Sequence, residues 1–208
     1  MIPPVDHLIY ATPALEPAVA ELERRLGVRA SPGGQHLGEG THNAVIPLGP
    51  RIYLEILAPD PTQPRLPRPL WLGIDGLTAP RLVTWAAKSD RLDDLVARAR
   101  DLGLPLGRVR PGSRRRPDGT TLTWRFTDPH TVLADGIVPF FIDWGSSPHP
   151  AGRAPREVGL VGLRAEHPDG DQIGAKLLRL GVGLDVSLAP KPALIATIQT
   201  PRGRIELT

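Results

Sequence analysis

The sequence predicts an α+β fold built from one unit used three times, a strand and an amphipathic helix followed by further strands. Three observations carry this reading. Apolar residues recur at helical spacing in three stretches, each placed after a short β-rich run. The helices end in similar words, ERRLGV, ARDLGL and LLRLGV, and the closing strands rhyme as RIYLEIL, PFFIDWG and GRIELT. The same order of elements returns on both sides of a proline-rich passage, so the repeat is supersecondary rather than textual.

The first unit opens with a strand over residues 5–11 and a helix in TPALEPAVAELERRLG, where Leu15, Val19, Leu22 and Leu26 share a face. Pro17 falls in the first turn, where its missing N–H would have had no intrahelical partner, and Gly27 stops the helix. A Gly-rich link over 32–40 leads to strands at 41–48 and 51–57, split by a Gly49-Pro50 turn. The passage APDPTQPRLPRPLW suppresses all periodicity and reads as a linker or surface crossing. A second strand at 81–88 then precedes the helix in SDRLDDLVARARDLG, with Ser89 as N-cap and acids in the first turn. Strands at 108–111, 120–127 and 138–144 complete that unit. The third opens at 157–166, continues with a helix carrying Ile173, Leu177 and Leu180, and ends in strands at 184–188, 193–200 and 204–207.

Composition narrows the function. With 208 residues, 40% of them hydrophobic and 23% charged, the chain can bury a core without disulfides or a zinc cluster. It has no cysteine, which excludes thiolate nucleophiles, CxxC redox chemistry and cysteine-ligated metals; any metal must be held by His, Asp and Glu. All but three of the 25 basic residues are arginine, and the net charge is only +3. No basic segment followed by a long apolar run opens the chain, and no stretch approaches the roughly 18 apolar residues of a membrane span, so a cytoplasmic protein without a membrane partner is expected.

Each closing strand carries an acid at a matching place, Glu55, Asp143 and Glu206. Alternation puts Ile52, Leu54 and Ile56 opposite Tyr53 and Glu55, and Phe140, Ile142 and Trp144 opposite Phe141 and Asp143. If the apolar face meets the helix, both acids face the inside of a curled sheet. Glu206 lies two residues from the end of the sequence and reads as exposed or paired with an arginine.

VDHLIYATPALEPAVAELERRLGV, GGQHLGEGTHNAVIPLGPRIYLEIL and PFFIDWGSSPHPA together resemble the glyoxalase-like branch of the vicinal oxygen chelate superfamily. The resemblance spans most of the chain and is strongest over 5–58 and 138–150. It implies βαβββ modules forming a cup-shaped, incompletely closed mixed sheet with the helices outside. On this reading residues 1–60 form the first module, 61–80 the linker, 81–150 the second module and 151–208 a shorter third one packed on the outside of the cup.

The resemblance further implies metal ligands on the first and last strand of each paired module. His7 and Glu55 match in the first module; in the second, Asp143 matches the last strand, while the first-strand position falls on Val83 or Thr84, neither a usual ligand. GGQHLGEGTHN matches the family pattern around His36, which can supplement the set, with His42 and Asn43 placed to meet a substrate. Such a site would suit zinc, iron(II), manganese or nickel, with two positions open for adjacent substrate oxygens and Glu55 as the group that moves a proton. GGQHLGEG is not a phosphate loop, since it lacks the P-loop lysine and does not lead from a strand into a helix.

The aromatic residues Trp85, Trp124, Phe126, Phe140, Phe141 and Trp144 gather in the second unit; most serve the core, and one or two, Trp144 among them, can wall an apolar pocket. The arginine run RVRPGSRRRPDG reads first as a solvated hairpin loop and second as a lid for an anionic ligand or nucleic acid. With only four Trp, two Tyr and three Phe in the chain, an RNA-binding face is not expected. Two readings remain: a metal-dependent lyase, isomerase or dioxygenase acting on a small, partly apolar oxygenated molecule, and a metal-free protein of the same fold that sequesters one. A homodimer fits either.

Overall fold

In the computed structural model, which describes residues 4–152 and 158–208, the first unit runs β1 (Val5–Ala11), α1 (Leu15–Leu26), β2 (Ser31–His36), β3 (Thr41–Gly49) and β4 (Ile52–Pro59). The second repeats it as β5 (Arg81–Lys88), α2 (Leu92–Asp101), β6 (Val109–Arg115), β7 (Thr121–Thr127) and β8 (Phe140–Asp143). The third comprises β9 (Gly159–His167), α3 (Gly170–Arg179), β10 (Asp185–Leu188), β11 (Ala193–Thr200) and β12 (Gly203–Leu207). Glu157, where the third unit was expected to open, lies outside the described residues.

Local chemistry accounts for the helices. In α1 the buried Ala18, Leu22 and Leu26 repeat every fourth residue, and Gly27 ends the helix at φ 74°, its N–H reaching the Glu23 carbonyl. In α2 the expected cap is displaced: the helix starts at Leu92, and Ser89 instead accepts the Arg91 N–H in a turn before it. The Gly-rich link also proves to contain a strand, β2, paired with β3 along its length. The linker is not wholly extended either, since Trp71–Gly76 forms a short 3-10 turn.

The eight strands of the first two units form one curled mixed sheet in the order β1-β4-β3-β2-β6-β7-β8-β5, with β5 returning to β1. The ring is zipped unevenly. β1 and β5 pair over most of their length, whereas β2 meets β6 only at Gln35–Arg115 and β7 meets β8 at two positions. Outside the curl, Leu54, Ile56 and Trp85 share a core with α1 and α2; inside it, Ile9, Leu57, Phe140 and Ile142 form a second cluster.

The third unit keeps the order of elements but not their pairing. Its sheet runs β10-β9-β11-β12, so β9 lies beside β10 and β11, whereas in the first two units the opening strand lies beside the last. It therefore cannot serve as another half of the cup. Leu163, Ala165, Ala196 and Ile198 join the outer core, and the Thr208 carbonyl accepts the Leu82 N–H at 3.0 Å, fastening the end of the chain to β5.

Candidate functional site

The inside of the curl opens into a cavity of about 170 Å³. A void of roughly 150 Å³ accommodates a benzene molecule, so this one suits a ligand of about one ring with short substituents. His7 on β1 and Tyr53 and Glu55 on β4 line one side, and Phe140 and Ile142 on β8 line another, with Trp124, Phe126 and Trp144 completing an aromatic wall. Gly112 on β6 allows the wall to close, because a Cβ there would lie 2.3 Å from the Trp124 indole nitrogen.

At the polar end, the Asp6 carboxylate is wholly buried and is reached by three donors. His7 Nδ1 lies 2.8 Å from Oδ1, His149 Nε2 3.1 Å from Oδ2, and Trp144 Nε1 3.2 Å from both oxygens. Burial alone would raise the Asp6 pKa, but the hydrogen bonds from His149 and His7 outweigh it and hold the group well below the ordinary carboxylate range. An ionised Asp6 makes His7 Nδ1 the donor. His7 Nε2 is thereby turned to the cavity, and its ring stacks on Tyr53 with centroids 4.6 Å apart.

Glu55 stands between two imidazoles. Its Oε2 is 3.5 Å from His7 Nε2, its Oε1 is 3.7 Å from His36 Nε2, and Oε1 also accepts from the Asn43 amide. The other end of that amide, Asn43 Oδ1, is buried without a hydrogen-bond partner among the described residues and packs on Gly33, where a Cβ would come within 1.9 Å. Burial pushes the His36 pKa down to about 4, with the Glu55 charge opposing it and the Arg114 charge adding to it, so the imidazole is neutral near pH 7. Its Nδ1 is 2.9 Å from the Thr41 hydroxyl. The carboxylate beside Nε2 favours the tautomer that carries its proton there, with Thr41 donating to Nδ1.

The fold thus brings together His7, His36, Asn43, Glu55 and Trp144. Two other expected site residues lie elsewhere. Asp143 shares a face with Phe141, which is packed in the outer core, and its Oδ1 accepts the Gly145 N–H; on β8 the apolar face, not the acidic one, turns inward. His42 alternates with Thr41 and Asn43 on β3 and points away, beside α1 residues Leu15 and Val19.

The register explains the missing ligands. β1 and β5 set His7 opposite Ala86; His7 then pairs with Tyr53 on β4, and Ala86 with Phe140 on β8. Two residues on from these partners stand Glu55 on β4 and Ile142 on β8. Neither Ala86 nor Ile142 carries a ligating group, so the strand neighbours of the first module's donors add none to the set. Val83 packs in the inner cluster, and Thr84 donates to the Gly136 carbonyl.

His7 and His36 face opposite oxygens of one carboxylate, and no three His, Asp or Glu side chains among the described residues form a group that could hold an ion.

The arginine run, read as a hairpin loop that is solvated or lids an anionic ligand, is in part a strand: β6 extends to Arg115, and Arg114 faces the cavity, 3% exposed. The period-two series Arg110, Gly112, Arg114 was the available signal. Asp6 and His149 carried none in the sequence, since their meeting spans 143 positions.

Comparison with known proteins agrees with this architecture. The family model described as "Glyoxalase-like domain" matches residues 5–181. The chain belongs to that family. The glyoxalase-like chain is similar to a crystal structure of a hypothetical protein from Staphylococcus aureus, with a TM-score of 0.62 and 12% identity, covering 99% of this chain and 84% of that one. It is also similar to methylmalonyl-CoA epimerase in complex with methylmalonyl-CoA and NH4+ (TM-score 0.46, 19% identity, 72% of this chain and 100% of that one). The epimerase from Mycobacterium tuberculosis matches with a TM-score of 0.41 and 20% identity, covering 66% of the glyoxalase-like chain and 85% of its own. No curated protein matches it. No helix among the described residues is long and apolar enough to cross a membrane.

Proposed function

We propose that this glyoxalase-like protein is a metal-independent isomerase, epimerase or lyase that moves a proton on a small, oxygenated, partly apolar molecule. The observation that carries the reading is the buried Glu55 carboxylate, set between two imidazoles and open to an aromatic-walled cavity. A buried carboxylate at the edge of an apolar cavity suits general-base attack on a carbon acid, because ligand binding displaces the water that would otherwise solvate it.

Glu55 takes a proton from the carbon beside a carbonyl. The C–H electron pair moves into the carbon framework, and the carbonyl oxygen gains the charge. A neutral His36, donating from Nε2, stabilises that oxygen without first surrendering its proton. Asp6 holds His7 with Nε2 toward the same space, where it accepts a proton from Glu55 or returns one to the ligand. Return of the proton to the other face gives an epimer; return to a neighbouring atom gives an isomer, and loss of a β-substituent gives a lyase reaction.

Solvent-deuterium wash-in at the carbon beside the carbonyl, followed by proton NMR over a panel of one-ring aryl ketones, 2-oxo acids and short acyl thioesters, tests this. Exchange is expected with at least one member and should fall about 10²–10⁴-fold in Glu55→Gln. An unaffected variant, or no exchange across the panel, would refute the proposal in favour of simple sequestration. Metal analysis of protein purified without chelator is a separate check: a stoichiometric ion lost in both His7→Ala and Glu55→Ala would refute metal independence.

A further inference from the structure

We infer that Arg114 is the specificity-determining residue of the cavity and that the ligand carries a carboxylate, held by this guanidinium while its ring lies against the aromatic wall. The inference rests on the cavity's being a ligand site and adds the chemical class of that ligand. Other arginines of the chain have acceptors: Arg110 has Asp128, Arg125 has Asp93, and Arg68 has Glu39. Arg114 differs from these three in being buried, where lacking an acceptor is costly. It is 3% exposed, its Nε is buried with no hydrogen-bond partner among the described residues, and it has no ion pair among them. Burying a guanidinium without an acceptor opposes folding, and such a feature persists where function supplies the missing partner.

The backbone is shaped for the side chain. At the sparse β2–β6 seam, Gly34 has φ +131°, and a Cβ there would lie 2.0 Å from the Arg115 carbonyl oxygen and 3.4 Å from Arg114 Cγ. The absence of a side chain at Gly34 therefore lets the stem of Arg114 pass beneath β2 into the cup. Nearby acids do not neutralise it: Glu39 is committed to Arg68, and Glu55 lies beyond ion-pair distance. A planar fork of donors matches a carboxylate in two parallel hydrogen bonds and discriminates against the neutral isostere. The cavity's volume limits the remainder of the ligand to about one ring.

Benzoylformate and its uncharged amide, titrated against the tryptophan fluorescence of the full chain, test this, because Trp71, Trp124 and Trp144 line the cavity. The acid should bind at least about tenfold more tightly than the amide, and Arg114→Gln should abolish that preference while Arg114→Lys keeps part of it. Thermal unfolding gives a readout that a purely structural arginine would not: Arg114→Gln should melt no lower than the parent without ligand, and should lose the stabilisation that the acid confers. Equal binding of acid and amide overturns the inference and leaves the cavity reading standing. Binding of neither probe overturns the inference, while deuterium wash-in decides separately on Glu55. A marked fall in melting temperature, or failure to fold, in Arg114→Gln would assign the arginine a structural role and overturn it too.

Discussion

Asp6 is the residue through which the site is most exposed to a single change. One buried carboxylate orients His7, His149 and Trp144 at once. Asp6→Asn presents an amide to at least one group that needs an acceptor, and should lower stability by about 3 kcal/mol in denaturant titration. Proton exchange should fall with it, since His7 is then free to turn; rescue of stability by added salt without rescue of exchange would identify the loss as one of orientation. At this scale the sequence was half legible. His7 and Glu55 could be named because a strand's alternation and a family pattern coincide on them. Asp6 could not, because nothing local distinguishes an acid turned into the core from one turned to solvent.

Among the elements, β2 shows how far glycine-rich sequence can mislead. Pro32, Gly33 and Gly34 read as a link, yet the chain there is a strand held against β3, made of glycines because Asn43 and the β6 backbone come too close for side chains. Gly34→Ala combines an unfavourable φ with a clash against main chain and should cost about 2–3 kcal/mol while loosening the β2–β6 seam, measurable as faster amide exchange along β6. The same region is tied to the linker by Asp60, which accepts from Thr62, Gln63 and Gln35. Burial alone would raise the Asp60 pKa, but these hydrogen bonds outweigh it and lower it from 3.8 to about 2. Its contribution is complete above the unfolded value and is lost as pH falls through the window from about 4 to 2. Comparing unfolding of the parent and Asp60→Asn across that window should show a shallower acid-side loss in the variant. For β8 the alternation was legible but its direction was not: an apolar row packs equally well against a helix or against a cavity wall, and only the register with β5 decides between them.

For the whole molecule, the two-module curl was readable from repeated helix endings and closing strands, whereas the topology of the third unit was not. Element order is local, but which strands become neighbours depends on what else is available to pair. Here the β1–β5 seam is already occupied, and β9 gathers its own sheet over the outer core. Leu163, Ala165, Ala196 and Ile198 are buried on that sheet and share the core of α1 and α2. A chain ending at residue 152 would leave that core open to water, and should be recovered as soluble aggregate or melt at least about 10 °C below the full chain by circular dichroism. Equal melting temperatures would show that the curl is self-sufficient.

Inside the curl, His7 and Glu55 of the first module face a cavity whose far wall includes Phe140 and Ile142 of the second. The carboxylate and two imidazoles of the first module stand at one side and the aromatic wall of the second at the other, with Arg114 its charged exception, so the cup has a wet pole and a greasy one. A ligand with unlike ends is sorted head from tail as it enters, before any bond to it changes, and only one of its faces is ever presented to the base.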